Sequence, residues 1–126
     1  MSEAYQIGKQ LVELCREGKW MDAIDKLYSK DIVSIEAGGP PDRIRMQGFD
    51  AVKGKSEWWE QNHDVHKAEV QGPWPHGDRF IVRFTLDVTA KGGPMAGQRM
   101  TLDEVGLYTV KNGKIAQEEF FYHMGG

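Results

Sequence analysis

The chain has 126 residues, 40% hydrophobic and 28% charged, and its 16 basic and 19 acidic side chains leave a net charge of −3. That length supports one domain, residues 1–126, closed on one core, and no apolar run reaches the ~18–20 residues a membrane helix needs. Basic residues are scattered rather than gathered on one face, which argues against nucleic acid as a partner. The N-terminal MSEAYQIGKQLVELC has neither the basic segment nor the apolar block of a signal peptide, so the cytoplasm is the expected compartment. A single cysteine, Cys15, leaves no disulfide framework and no cysteine metal site. Beside Leu11, Val12 and Leu14 in a helical pattern, it reads as buried and structural.

In chain order, residues 3–17 place Ile7, Leu11, Leu14 and Cys15 at helical spacing, with Gly18 as a C-cap. Residues 19–29 form a second helix with Trp20, Ala23, Ile24 and Leu27 on one side. DIVSIE at 31–36 is a short β-branched strand, and AGGPPDRIRMQ at 37–47 is a loop by composition. Gly48 to about His63 forms a third helix, where Asp50 suits the positive end of the helix dipole. Four strands follow, at 65–74, 79–90, 99–110 and 114–123. The last two are joined by Asn112-Gly113, a pair that tolerates the positive φ angles of a type I′ turn. In the strand at 79–90, Phe80, Val82, Phe84, Leu86 and Val88 share the face turned to the helices. Ile81, Arg83, Thr85, Asp87 and Thr89 share the other. Helices gathered ahead of a run of strands predict an α+β domain.

Three stretches, LVELCREGKWMDAIDKLYSKDIVSIEAGG (11–39), MQGFDAVKGKSEWWEQN (46–62) and YTVKNGKIAQEEFFYH (108–123), carry a resemblance over nearly the whole chain. Their order is similar to that of the NTF2-like (cystatin-like) superfamily, and within it to the SnoaL-like polyketide cyclases and ketosteroid isomerases. The resemblance implies a cone: three N-terminal helices packed on a curved antiparallel sheet, with a ligand pocket at the open end. It also implies a homodimer formed through the outer sheet face, where Arg83, Thr85, Asp87 and Thr89 would lie.

By the same resemblance, the strand ending at Glu36 would present the carboxylate that moves the substrate's proton. A carboxylate at a strand end, partly desolvated, becomes a better proton acceptor. The chain departs from the ketosteroid isomerases at their two oxyanion donors, which fall at Leu11 and near Gly106, so steroid isomerisation lacks its support here. It departs from the cyclases where their late acidic residue becomes His123, which can carry a proton near neutral pH.

Pairing the last hairpin symmetrically about Asn112-Gly113 sets Tyr108 against Gln117, Gly106 against Glu119 and Glu104 against Phe121. On that register Glu104, Tyr108, Glu119, Phe121 and His123 face the pocket and Glu118 faces outward. The expected catalytic set is Glu36 as base, with His123 or Tyr108 as acid or hydrogen-bond donor. Trp58, Trp59, Asn62, Phe84, Glu104, Glu119 and Phe121 are the expected ligand contacts. His63 and His66 could share a metal only if the third helix ran through both and a third ligand were near, so no metal is expected. The predicted occupant is a small, largely apolar molecule, handled without a cofactor if the protein is an isomerase- or lyase-type enzyme. The alternative is a ligand-binding or scaffold module that performs no chemistry.

Overall fold

In the computed structural model, which describes residues 2–123, Ser2 caps the first helix by accepting a hydrogen bond from the Tyr5 backbone N–H. This helix, α1 (Glu3–Arg16), buries Ala4, Ile7, Gly8, Leu11, Val12 and Cys15 on one stripe. After Gly18 turns the chain at φ 74°, α2 (Trp20–Leu27) buries Ala23, Ile24 and Leu27. The first strand, β1 (Tyr28–Ile35), begins three residues earlier than the sequence suggests. The expected loop at 37–47 holds a single 3-10 turn at Pro41–Arg43 and a short strand, β2 (Arg45–Gln47). Two prolines and two glycines mask that strand in the sequence, and three residues are too few to show alternation. Then come α3 (Phe49–Gln61), β3 (His63–His76), β4 (Arg79–Ala90), β5 (Arg99–Lys111) and β6 (Lys114–Phe121).

The six strands form one sheet in the order β2-β1-β6-β5-β4-β3. All pairings are antiparallel except that of β1 with β6, which is parallel. The expected purely antiparallel sheet is therefore mixed, and the third helix enters only after β1 and β2. Bulges interrupt β1, β3 and β6 and bend the sheet around the helices. Its concave face supplies Ile32, Val70, Phe80, Val82, Tyr108 and Ile115 to a core completed by α1, α2 and Val52 of α3. At Gly8, α1 comes so close to the sheet that an added Cβ would lie 2.8 Å from Cβ of Pro73 and 3.0 Å from the Phe80 ring. Among the described residues, no helix is long and apolar enough to cross a membrane.

Candidate active site

A cavity of about 580 Å³ opens between the helices and the concave face of the sheet, within the usual size range of small-molecule sites. One extra residue in β6 decides which side chains enter it. Near the turn the pairing is symmetric, Lys111 with Lys114 and Val110 with Ile115. The register then slips at Ala116, so that Thr109 meets Gln117, Tyr108 meets Glu118, and Gly106 meets Phe120. The slip reverses the faces beyond it. Glu118, expected outside, is 2% exposed and lines the cavity. Glu119 pairs with Leu107 on the opposite face, and Phe121 pairs with Val105 there, 49% exposed.

Glu118 is held by two hydroxyls from β1. Tyr28 donates to Oε1, and Ser34 donates to Oε2 at 2.7 Å. Lys55, one turn beyond the buried Val52 on α3, reaches into the same space. Its Nζ donates to Ser34 Oγ at 2.5 Å and to Glu36 Oε1 at 2.6 Å, and lies 3.9 Å from Glu118 Oε2. Tyr122 donates to the other oxygen of Glu36 at 3.0 Å. Glu36 thus stands just beyond the end of β1 and lines the cavity, with both carboxylate oxygens engaged. Burial raises Glu118 above the ordinary glutamate range, while Lys55 and the two hydroxyls pull it back.

Glu104 differs from both. It projects from β5 opposite Phe84 of β4, and among the described residues no hydrogen bond reaches its carboxyl. Burial first, then the charges of Glu36 and Glu118, push it up to about 7 against the pull of Lys55. Lys55 thus serves Glu36 and Glu118, while Glu104, which no described side chain bonds, holds its proton into the neutral range. Farther along the same face, Tyr108 stacks on Phe80 at 5.0 Å and meets Phe120 edge-on at 6.2 Å. Its ring lies over Gly106, where an added Cβ would fall 2.7 Å from it, so only glycine leaves room for that pose. The phenol shares the cavity with Glu118 and Glu104. Burial raises the phenol well above its ordinary value, so it stays a donor.

Of the other expected contacts, Phe84 and Trp59 line the cavity wall and the exposed His123 lines its rim. Trp59 stacks on His63 at 4.3 Å, and His63 Nδ1–H donates to the Trp59 carbonyl at 2.7 Å. Trp58 is 54% exposed and lies outside. Asn62 also lies outside, because its amide closes the end of α3 by donating to the Trp58 carbonyl at 2.8 Å. His66 binds Thr89 on the surface, away from His63. Among the described residues no group of three metal-ligating side chains forms. Cys15 lines the cavity floor, and burial pushes its thiol up to about 12. Lys55 escaped the sequence reading, since one lysine on a charged helix carries no signal of its own. Glu118 escaped it because nothing in KIAQEE marks a bulge.

A SnoaL-like domain model matches residues 2–122. A Mesorhizobium loti protein, provisionally named a SnoaL-like polyketide cyclase, is 46% identical over 97% of this chain and 100% of its own, with a TM-score of 0.88. A protein from Jannaschia sp. CCS1 with the same provisional name matches at 17% identity, over 96% and 88% of the two chains, with a TM-score of 0.72. An LEH-like epoxide hydrolase of M. tuberculosis matches at 15% identity, over 96% and 83%, with a TM-score of 0.69. These last two are similar in fold alone. No functionally curated protein matches the chain significantly. The domain match over nearly the whole chain, on a cone whose cavity is built as described, places this protein in the SnoaL-like family.

Proposed function

We propose that the protein is an acid–base enzyme that moves a proton on a small, largely apolar carbonyl compound bound in this cavity. The reaction would be of the isomerase, cyclase or dehydratase kind. The observation that carries this reading is Glu104, a carboxyl that no described side chain bonds, pushed up to about 7 among aromatic walls. A group near neutrality is both a competent base and a competent acid. Glu104 as carboxylate would take a proton from the carbon beside the carbonyl, and as acid would return it to another atom of the same substrate. The electron pair left behind moves onto the carbonyl oxygen. Tyr108 O–H, and the N–H of Lys55 not given to Ser34 or Glu36, are the donors available to that oxygen. The base role that the resemblance implies for Glu36 would fall to Glu104, because Lys55 and Tyr122 already bond the two Glu36 oxygens. Glu36 instead orients Lys55. His123, at the rim, would meet the outer end of the ligand.

The molecule is further proposed to work as a homodimer through the outer sheet face. Sequence gives that face a polar look from β4 alone. Trp74 and Ile81, cross-strand partners and 53% and 38% exposed, join Leu107, Val105 and Phe121 in an apolar patch. The bidentate pairs Arg83–Asp103 and Arg99–Asp87 lie on the same face.

The catalytic reading is tested in D2O with a panel of small aromatic ketones and lactones, following deuterium entry beside the carbonyl by NMR. Wild type is expected to exchange at least one ligand that it binds, and Glu104→Gln to do so about 100-fold more slowly, the lower end of a general base's usual worth. Glu119→Gln, altered on the outer face, should match wild type. Ligands that bind without exchanging in wild type would make the domain a binding module instead.

A further inference from the structure

We infer that the Glu104 end of the cavity binds the ammonium group of a small aromatic cation, with Glu104 as its counter-ion. The inference rests on the cavity-facing placement of Glu104 used above, and not on the reaction proposed for it. Around this end stand three carboxyls, Glu36, Glu104 and Glu118, and one ammonium, Lys55. Lys55 is already committed. It bonds Glu36 directly and reaches Glu118 through the Ser34 hydroxyl. What remains is Glu104, which no described side chain bonds, paired across the strands with Phe84 and sharing its cavity with Trp59 and Tyr122. A carboxylate and several ring faces together recognise an organic cation, the first by charge and the second by their quadrupoles.

The other titratable groups turned to this space add no competing cation beside Glu104. Tyr28, Tyr108 and Tyr122 are hydroxyls that hold their protons, and Cys15 is a buried thiol. His63 is spent on the Trp59 carbonyl and ring. Arg43 and His123 are exposed at the rim. A bound cation requires Glu104 ionised. Its affinity therefore climbs as pH rises through the neutral range and levels off above it, while an uncharged ligand of the same shape gains nothing. Such a cation would compete with the carbonyl substrate, since it occupies the carboxylate that would take the substrate's proton.

The test is calorimetric titration of the full chain with benzyltrimethylammonium, whose charge does not titrate, and with neopentylbenzene, its uncharged isostere. Between pH 5.5 and 8.5 the ammonium should bind about 30-fold more tightly, the gain expected when a group of pKa about 7 must lose its proton. Neopentylbenzene should show no such change. In Glu104→Gln the ammonium should lose its pH dependence and its advantage over neopentylbenzene. Unchanged neopentylbenzene binding in that variant would show that the cavity is intact. The inference is overturned if the ammonium fails to bind, binds no more tightly than neopentylbenzene at pH 8.5, or keeps its pH dependence in Glu104→Gln. Deuterium exchange that persists in wild type after any of those outcomes would leave the catalytic reading standing alone.

Discussion

Glu36, Glu104 and Glu118 are the same residue type in one cavity, and their surroundings give them different work. Glu118 accepts from Tyr28 and Ser34, Glu36 from Lys55 and Tyr122, and Glu104 from no described side chain. The consequence for stability follows from the raised Glu104. The folded protein holds this proton more tightly than the unfolded chain does, so folding stability is full below the ordinary glutamate pKa of about 4.3 and declines as pH rises toward 7. Glu104→Gln removes that decline. Urea unfolding should show the variant gaining on wild type by about 3 kcal/mol between pH 4.5 and pH 8. A difference that stays flat with pH would mean that Glu104 titrates normally.

At the scale of elements, the sequence marks strands and helices well where they are long, and marks β-bulges not at all. The Asn112-Gly113 turn sits where expected, with φ of 53° and 78°, and the nearest pairs follow from it. Beyond Ala116 every assignment on β6 reverses, because side chains alternate with period two and one extra residue exchanges the faces. That single slip sends Glu119 and Phe121 out and Glu118 in. The strand β2 and the parallel β1–β6 pairing were equally hidden, since both depend on where the chain returns rather than on its local pattern. The seat of α1 gives a prediction of its own. Alanine is the better helix former, yet Gly8→Ala should destabilise the fold by about 1–3 kcal/mol by forcing α1 away from Pro73 and Phe80. A variant as stable as wild type by urea denaturation would show that the helix is not held so close.

Over the whole molecule, the cone was legible because the order of elements and the motifs along it extend through nearly the entire chain, and the family match over residues 2–122 rests on the same extent. Less of the site was legible. Phe84, Trp59, Glu104, Tyr108 and Glu36 sit on long or terminal features and reach the cavity, whereas Trp58 and Asn62 depended on the exact rotation of α3. For the assembly, sedimentation should find wild type as a dimer at micromolar concentration. Ile81→Asp, placed in the outer apolar patch, should be a folded monomer that keeps ligand binding. A wild type that sediments as a monomer would remove the outer face as an interface.

The proposed chemistry turns on the ionisation of Glu104, and the most direct measurement is a 13C carboxyl NMR titration of glutamate-labelled protein, with the resonance assigned by its loss in Glu104→Gln. A midpoint near 7 for that resonance is the predicted result. A midpoint near 4.3, the value of a solvated glutamate, would contradict it and leave the cavity without its proton carrier.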